Sequence, residues 1–522
     1  MRNDIFKNLF VLDMANNHFG DLKHAKKIVK SFSKIVKKNK LKATIKFQFR
    51  DLKTFIHSSQ INNEKNHYVK RFISTEMSLE KFDQIRKLIK KNKMLTSCTP
   101  FDEISIDRIV KMRFDIMKIA SVSANDWSLL EKARETNIPK IISTGGKTIA
   151  EIDKIVNFFS QRNTPFAIMH CTAIYPSLND TMQLNQINVL KKRYKNLAIG
   201  WSTHEEPENL LPSTIAYSVG ARMFEKHIGL NNKKYKLNNY SITPVQFEKY
   251  LNNLENVKLA LGGDKKIISK IELKTLSMLD RGAYAKKDIN KKIKLNKENV
   301  YFAFPKQQGQ LSSSEISSKM FVNITKKDLK KNEKIIKKNT IVKKDRNLEL
   351  ITSYIHNVKG VLNNNQIDLG EDFDLEISHH YGVKKFLQYG CFLFNCVNRS
   401  YAKKIVVLFA NQKHPLHKHK KKEETFQILS GKLISTLNGE KSILKSGDKI
   451  LVKPGVWHKF KTDKNGCIFE EISTKSYKND SFYKDKKISK LSRDERKTYV
   501  KNWGFGSIDN KYGFSNNVDV QK

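Results

Sequence analysis

The chain of 522 residues is poor in cysteine and lacks long apolar runs, and each shortage excludes a class of protein. Its cysteines are Cys98, Cys171, Cys391, Cys396 and Cys467. Their spacing matches neither a metal knuckle nor an even disulfide framework, which favours a reducing compartment. No uncharged apolar run approaches the roughly 18 residues that span a membrane, and the N-terminus has neither the apolar core nor the cleavage site of a signal peptide. These absences predict a soluble, cytoplasmic protein.

Acidic residues are also scarce, because 52 Asp and Glu face 98 Lys and Arg and leave a formal net charge of +46. The basic residues are spread along the chain and form no single tract, so we expect most of this charge on the solvated surface. The sequence also lacks a strand platform that interleaves aromatic and basic residues, as RNA-binding domains have. We therefore expect an anionic small-molecule substrate, and neither a nucleic acid nor a membrane as partner.

The length predicts two or three domains, because a single hydrophobic core stops growing well below this size. In residues 1–262, short apolar segments alternate with amphipathic, lysine-rich ones, as strands alternate with helices. The apolar segments lie at residues 9–15, 43–49, 94–100, 116–121, 140–144, 166–171, 197–203 and 221–227. Eight strands that alternate with helices predict a parallel (β/α)8 barrel, the TIM-barrel fold.

The rest of the chain predicts two smaller β-rich domains. Residues 280–345 contain short strands and turns, and a helical connector precedes them. Residues 346–522 form the last domain, whose core at 385–475 alternates apolar and polar residues between glycine turns. Short, evenly spaced strands of this kind predict an all-β jelly-roll barrel. From about residue 476 the chain is polar and lysine-rich, and we expect a helical or irregular cover there.

The active sites of (β/α)8 barrels lie at the C-terminal mouth, where each strand ends. The predicted strands deliver these polar residues there: Asp13, Asn16, Asn17, Lys46, Gln48, Thr99, Lys118, Ser121, Ser143, Thr144, His170, Tyr175, Ser202, His204, Glu225, Lys226 and His227. A barrel with a purely structural role does not need polar groups at all eight ends. The pattern therefore predicts an active site at this mouth.

Two histidines, His204 and His227, follow neighbouring strands, so their imidazoles are expected side by side. Two neutral imidazoles leave most of the coordination sphere of a divalent ion open, which suits a Lewis acid that accepts a substrate oxygen. The alternative is that each histidine satisfies a buried hydrogen bond. The adjacency of the two favours a metal site.

Two lysines, Lys46 and Lys118, lie inside apolar strand segments and need an anion if they are buried. A phosphate or carboxylate held between them would supply it. The alternative is an internal ion pair with Glu225 or Asp115, which we expect for one lysine and not for both. Four hydroxyl groups would add neutral donors around the same anion, and they belong to Thr99, Ser121, Ser143 and Ser202.

Nine motifs, in order along roughly residues 8–310, resemble those of the sialic acid synthases: "NNHFGD", "IKFQ", "TPFD", "KIAS", "ISTGG", "HCTAIYPS", "GWSTHE", "GARMFEKHIGL" and "YSITPVQF". The segment "DRGAYAKKDINKKIKLNKENVYFAFP" resembles the antifreeze-like (SAF) domain that follows their barrel. The resemblance implies an enzyme that condenses phosphoenolpyruvate with an open-chain N-acyl hexosamine. The products of that reaction are phosphate and a nine-carbon 2-keto sugar acid, a nonulosonic acid.

The resemblance also implies roles for individual residues. His204 and His227 would hold Mn²⁺ or Mg²⁺, which polarises the sugar aldehyde. The residues that would grip phosphoenolpyruvate are Lys46, Thr99, Lys118, Ser121, Ser143 and Ser202. Asn17, Gln48, Tyr175 and Gln183 complete the expected substrate site, with Gln183 in the place of a family asparagine. Arg281 matches an arginine that reaches the sugar site of the neighbouring subunit, which implies a homodimer.

The sequence departs from the family pattern at several acidic or basic positions. Asp13 stands where the family has Glu, and Ser123 stands at a position proposed for an acid or base. Leu237 and Asn238 replace an Asp-His pair. These changes leave the acceptor sugar and the general base open, and we hypothesise that Asp13 takes part in proton transfer. The alternative is a non-catalytic sugar-phosphate-binding or regulatory protein.

The C-terminal domain resembles a cupin, because His417, His419, Glu424 and His458 follow the pattern of an HxH pair, a glutamate and a distant histidine. Three imidazoles and a carboxylate are good ligands for Mn, Fe, Zn or Ni. Glu423 would replace Glu424 if the strand register slipped. The flanking Lys418, Lys420, Lys421 and Lys422 are expected to face solvent. A purely structural cupin is the alternative, and isomerase, epimerase and sensor roles all stay open.

Overall fold

The structure is a computed structural model that describes residues 4–500, apart from residues 62, 64, 318–320, 345, 371 and 478. The chain divides into two compact units, and the boundary lies between Lys266 and Ile267. All five cysteines are free thiols, as their spacing predicts. Among the described residues, no helix combines the length and the apolar character needed to cross a membrane.

The first unit is a closed barrel of eight parallel strands, which confirms the predicted fold class. The strands are β1 (Leu9–Asp13), β2 (Lys42–Phe49), β3 (Leu95–Pro100), β4 (Ile116–Ile119), β5 (Lys140–Ser143), β6 (Phe166–Cys171), β7 (Ile199–Ser202) and β8 (Met223–His227). The α-helices are α1 (Leu22–Lys38), α2 (Leu52–Phe55), α3 (His67–Ser74), α4 (Leu79–Lys91), α5 (Glu103–Lys111), α6 (Trp127–Glu135), α7 (Ile149–Ser160), α8 (Asn185–Arg193), α9 (Leu211–Ser218) and α10 (Pro244–Leu261).

Helix ends in this unit carry the side chains that satisfy exposed backbone groups. Asp21 accepts hydrogen bonds from the first turn of α1, and Ser78 caps α4. Capping boxes open α7 at Thr148 and α10 at Thr243. Each cap of this kind contributes about 1 kcal/mol, and together the caps fix where the chain leaves the barrel mouth and enters the helical layer.

Alternate residues of each strand face the barrel interior, where they form an apolar layer and a polar layer. The layer at one end is a buried cluster of Leu9, Val11, Ile116, Ile141, Ala167, Met169 and Met223. At the other end, the register of β1 places Asp13 beside Lys46 on β2 and beside His227 on β8. Neighbouring strands thus bring their terminal polar residues to one level, as the strand-end rule requires.

The second unit begins with α11 (Lys270–Met278) and two antiparallel hairpins. The first hairpin pairs β9 (Gly282–Ala285) with β10 (Val300–Ala303), and the second pairs β11 (Phe321–Thr325) with β12 (Thr340–Lys344). The helix α12 (Ser313–Ser317) lies between them in sequence. A small apolar core that includes Ala283, Ile289, Leu311, Leu329 and Ile335 joins these elements into one β-rich module.

The C-terminal region is antiparallel and β-rich, as expected of its core, and among the described residues three helices accompany its strands. Its strands are β13 (Asp374–Ser378), β14 (Cys391–Asn398), β15 (Tyr401–Leu408), β16 (Lys413–Lys418), β17 (Glu424–Leu437), β18 (Glu440–Lys445), β19 (Lys449–Val452), β20 (His458–Thr474), β21 (Phe482–Tyr483) and β22 (Lys497–Val500). Its helices are α13 (Arg346–Asn364), α14 (Lys486–Ser489) and α15 (Arg493–Arg496). The expected cover after residue 476 is helical only in part, because β22 pairs with β13 and extends the sheet.

Candidate functional site

The two buried lysines of the barrel share one carboxylate. Glu225 on β8 lies 3.1 Å from Nζ of Lys46 through its Oε1 and 2.6 Å from Nζ of Lys118 through its Oε2. All three side chains are almost fully buried. The expectation that at most one lysine pairs internally was therefore wrong. The other proposed partner, Asp115, precedes β4 and instead contacts Lys90 and the backbone of Thr96.

Asp13 extends this charged cluster toward the histidines. Its Oδ2 lies 2.9 Å from Nζ of Lys46 and 3.6 Å from Nε2 of His227, and it accepts a hydrogen bond of 3.2 Å from Gln48. Its Oδ1 accepts a hydrogen bond from the backbone N–H of Ala15. The carboxylate is thus fixed between the ammonium group of Lys46 and the imidazole of His227.

Burial and charge oppose each other within the cluster. Burial alone would lower the pKa of Lys46, but the charges of Asp13 and Glu225 outweigh burial and raise it above its ordinary value. Burial would raise the pKa of Glu225, but Lys118 and Lys46 hold it well below its usual range. These shifts keep Lys46 as an ammonium ion and Glu225 as a carboxylate.

His204 and His227 lie side by side, with ring centroids 5.3 Å apart. Nδ1 of His204 lies 3.0 Å from the carbonyl oxygen of Thr172, which can only accept, so Nδ1 carries the proton and Nε2 keeps its lone pair. Burial and then His227 lower the pKa of His204 to about 3, and burial also lowers the pKa of His227. Nδ1 of His227 is buried and forms no hydrogen bond with a described residue. Two neutral imidazoles with available nitrogens fit a divalent metal.

The expected hydroxyl donors have different surroundings. Thr99 Oγ1 accepts a hydrogen bond of 3.3 Å from Nζ of Lys46, while Ser143 Oγ is buried and forms none with a described residue. Ser121 Oγ accepts from the backbone N–H of Gly145, and a Cβ atom at that glycine would lie 2.8 Å from the same oxygen. A larger residue at position 145 would therefore displace the Ser121 hydroxyl group. Ser202, at the end of β7, is buried and pairs in register with Glu225.

The other sequence-predicted residues lie farther from this cluster or serve a structural contact. Asn17 donates to the carbonyl of Ile228 and to Ser241 Oγ, so it ties the β1 loop to the loop after β8. Tyr175 is half-exposed, with its ring centroid 4.1 Å from that of His204. Gln183 is exposed. Arg281 belongs to the second unit, where it is exposed and its guanidinium lies 5.9 Å from the centroid of the Phe302 ring.

The sequence reasoning did not select Arg50, which directly follows β2. Its guanidinium packs over the rings of Phe101 and Phe72, at 3.6 and 4.0 Å from their centroids, and donates to Gln48 Oε1. Burial lowers its pKa to about 10, so the group is still charged at neutral pH. The signal was available, because Arg50 comes two residues after Gln48 at a strand end.

In the C-terminal β-rich region, His417, His419 and His458 bring one ligand nitrogen each to within 4.8 Å of one another. Each histidine places Nδ1 against a backbone carbonyl, of Pro415, Asp480 and Val456 respectively. A carbonyl only accepts, so all three imidazoles carry their proton on Nδ1 and turn Nε2 toward the common centre. Burial holds the pKa of His417 well below its ordinary value and that of His419 at about 4, which keeps both rings neutral. The cluster fits a transition metal.

Glu424, and not Glu423, faces these imidazoles. Its Oε1 lies 3.6 Å from Nε2 of His419, and its Oε2 lies 3.3 Å from Nε2 of His458, without hydrogen-bond alignment. Glu423 is exposed. Lys422 also points inward, with Nζ 2.5 Å from Oε1 of Glu424, so the expectation that all four flanking lysines face solvent was wrong.

Lys422 points inward because the chain makes a turn that the local sequence does not reveal. The carboxylate of Asp480 accepts backbone hydrogen bonds from Lys420, Lys421 and Lys422. This turn breaks the alternation after His419 and places positions 422 and 424 on the same inward face. A cation therefore competes with any metal for the glutamate.

Fold and site together define the class: a (β/α)8-barrel protein with a fused cupin domain. The model of the NeuB family matches residues 36–266, and the cupin domain model matches residues 405–469. The chain belongs to the NeuB family.

Among known proteins, the chain is 30% identical to uncharacterized protein MJ1065 of Methanocaldococcus jannaschii over 291 residues, which are 55% of this chain and 82% of that protein. It is 27% identical to the N,N'-diacetyllegionaminic acid synthase of Campylobacter jejuni over 293 residues, 55% of this chain and 86% of the synthase. A solved structure, a putative spore coat polysaccharide biosynthesis protein E from Chromobacterium violaceum, is 36% identical with a TM-score of 0.60 and covers 64% of this chain and 99% of its own.

Proposed function

We propose that the protein is a synthase that condenses phosphoenolpyruvate with an N-acyl hexosamine to form a sialic-acid-like 2-keto sugar acid. The observation that carries the proposal is the meeting of two neutral imidazoles and two charged lysines around Asp13 and Glu225 at one barrel mouth. Membership of the NeuB family and similarity to synthases of legionaminic, pseudaminic and N-acetylneuraminic acids support it.

The lysines would bind the phosphate and carboxylate of phosphoenolpyruvate. Glu225 holds both ammonium groups at one end of the mouth, so an incoming anion meets oriented donors and requires little reorganisation. Thr99 and Ser143 would add hydroxyl groups to the same oxygens. Carboxylates already balance the charges of the two lysines, whereas phosphoenolpyruvate carries several negative charges. Arg50 would therefore offset part of the negative charge of the substrate.

His204 and His227 would hold Mn²⁺ or Mg²⁺, which supplies Lewis-acid polarisation of the sugar aldehyde when it is bound. The methylene carbon of phosphoenolpyruvate would then form a bond to the aldehyde carbon, and the aldehyde oxygen would take a proton. Water adds to the resulting cation, loses a proton, and phosphate leaves. Asp13 would accept that proton, because its Oδ2 is 3.6 Å from His227 and is the acid nearest the imidazole pair.

The acceptor sugar is identified by the product. Incubation with phosphoenolpyruvate, Mn²⁺ and single N-acyl hexosamines, N-acetylmannosamine among them, should give a new mass equal to the sugar plus pyruvate in one case. His204→Ala should remove that product, whereas Lys249→Met on the exposed face of α10 should not. A protein that binds these sugars tightly without forming any product would support the non-catalytic alternative, which the loss of acidic groups at Ser123 and Leu237 favours.

We also propose that the protein is a homodimer in which Arg281 completes the partner's sugar site, as in the family. The exposure of Arg281 is compatible with such a contact. In that arrangement Arg281→Ala should raise KM for the sugar and leave KM for phosphoenolpyruvate unchanged. Sedimentation of the wild type as a monomer would contradict the proposal.

In the cupin domain we propose a second divalent ion held by His417, His419, His458 and Glu424. The shared orientation of the three imidazoles supports it. Metal analysis of the purified protein should find an ion that persists in His204→Ala and is lost in His417→Ala.

A further inference from the structure

A second buried ion pair of the barrel adjoins the two histidines of the mouth. Nζ of Lys226 lies 2.6 Å from Oε1 of Glu205, and both side chains are almost fully buried. Glu205 is the residue after His204, and Lys226 is the residue before His227. One salt bridge therefore joins the two chain segments that carry the imidazoles.

The alternation of side chains along β8 directs this pair away from the mouth. Glu225 and His227 contact the charged cluster inside the barrel, so Lys226 between them points to the outer face of the strand. There its Nζ lies 5.5 Å from the centroid of the Tyr250 ring on α10. The pair is thus placed to act on the mouth through the histidines, and not by contact with a ligand.

The backbone ladder between β7 and β8 ends before it reaches the histidines. Its last register pair joins the residues that stand two positions before each of them. Beyond this point each segment bonds to a different neighbour, because the carbonyl of His204 accepts from the N–H of Ser177 and the carbonyl of His227 accepts from the N–H of Ile242. The ion pair then fastens the two segments to each other.

Stability alone does not explain a buried ion pair at this place. Two apolar side chains of similar volume commonly stabilise a fold as well or better, because burial removes the hydration of both charges. A charged hydrogen bond differs in that it fixes the distance and direction between two atoms. Oε2 of Glu205 is buried and forms no hydrogen bond with a described residue, so the contact of Oε1 with Lys226 determines where the carboxylate lies.

We propose that Glu205 and Lys226 are positioning residues, which set the separation and orientation of the His204 and His227 imidazoles for a divalent metal. The inference rests on the proposed function, because it takes these imidazoles as the metal ligands. Metal–nitrogen bonds tolerate deviations of only about 0.2 Å, so a small shift of either segment should weaken metal binding.

Mn²⁺ titration of the full-length protein tests the proposal, in a His417→Ala background that removes the ion proposed for the cupin domain. The double variant Glu205→Leu/Lys226→Met removes both charges at similar volume, so its urea unfolding should match that of the parent. Its Mn²⁺ affinity should nevertheless fall about tenfold or more, the loss typical when groups that orient metal ligands are removed. The exchanged pair Glu205→Lys/Lys226→Glu should restore most of that affinity.

A matched control and a milder variant complete the test. Glu208→Leu/Lys249→Met removes an exposed ion pair that joins the same loop after β7 to α10, and it should leave the Mn²⁺ affinity unchanged. Glu205→Asp keeps both charges but shortens one side chain, so the loop must move to preserve the contact and the affinity should also fall. This variant decides the question if the double variant does not fold. Parental Mn²⁺ affinity in Glu205→Asp or in a folded double variant would overturn the proposal.

The outcomes also separate this inference from the proposed function. Mn²⁺ binding that is lost in His204→Ala, yet unchanged in the variants of the pair, contradicts the positioning role alone. Mn²⁺ binding that does not depend on His204 contradicts the metal site of the barrel, and the positioning role with it.

Discussion

Removal of the Glu225 carboxylate should leave a buried charge without a partner. Among the described residues, Lys118 forms an ion pair with Glu225 alone, while Lys46 retains Asp13 at 2.9 Å. In Glu225→Gln one ammonium group, 3% exposed, therefore loses its only counter-ion. Breaking a buried pair in this way typically costs about 3 to 5 kcal/mol, because the remaining charge is not solvated.

Urea unfolding of the barrel, followed by a probe that separates it from the cupin transition, measures this cost. Glu255→Gln is the matched control, because Glu255 forms an exposed pair with Lys258 and its loss should cost less than about 1 kcal/mol.

Phosphate should stabilise Glu225→Gln more than it stabilises the wild type, since the anion replaces the missing carboxylate between the two lysines. A Coulomb interaction at about 4 Å and an effective dielectric constant of about 20 amounts to about 4 kcal/mol, enough for at least a tenfold gain in phosphate affinity.

Two results would refute this reasoning. One is a stability of Glu225→Gln equal to that of Glu255→Gln, which would mean that the buried pairs contribute nothing. The other is a phosphate affinity equal to that of the wild type, which would mean that the lysines do not face a common anion site.

Three further predictions concern single residues. Lys422→Met should tighten Mn²⁺ binding by the cupin domain about tenfold or more, because the ammonium 2.5 Å from Glu424 no longer competes; unchanged affinity in a metal titration would contradict this. Asp13→Asn should lower turnover about 100-fold or more while Lys46 keeps Glu225, and unchanged turnover would remove Asp13 from proton transfer. Burial, and then the charges of His24 and Arg71, lower the pKa of His18 from 6.5 to about 4 in the folded barrel. As the pH falls, the unfolded chain therefore protonates His18 before the folded chain does. The barrel should therefore have the full His18 contribution above pH 6.5 and lose about 3 kcal/mol as pH falls to 4, a loss that His18→Asn should remove in urea titrations.

The barrel could be predicted from local signals. Strands β1 to β8 each appear as a short apolar segment between lysine-rich amphipathic segments, and parallel strand ends must share one mouth. The adjacency of His204 and His227 follows from chain order alone, and the structure places their rings 5.3 Å apart.

The partners of buried charges could not be predicted in the same way. Glu225 reaches both Lys46 and Lys118 because the barrel interior is narrow enough for β8 to face β2 and β4, a property of the closed sheet and not of any segment. Lys422 turns inward because Asp480, 58 residues away, holds its backbone N–H. The alternation of apolar and polar residues predicts which way a side chain points within a strand. It fails where a residue distant in sequence stabilises the turn between two strands.

The last strand shows the same limit. Residues 497–500 are polar enough to predict a surface cover, yet β22 pairs with β13 and brings Lys497 into an ion pair with the buried Glu376. Only the long-range pairing of the two strands reveals that partner.

The central claim is that the imidazoles and lysines of the barrel mouth serve one reaction, and the time course of phosphate release from phosphoenolpyruvate tests it most directly. We predict that phosphate appears only when the acceptor sugar and Mn²⁺ are present, in equal amount to a 2-keto acid, and that His204→Ala or Lys118→Met abolishes it in a folded protein. Phosphate release that does not require the sugar, or that persists in both variants, would contradict the account.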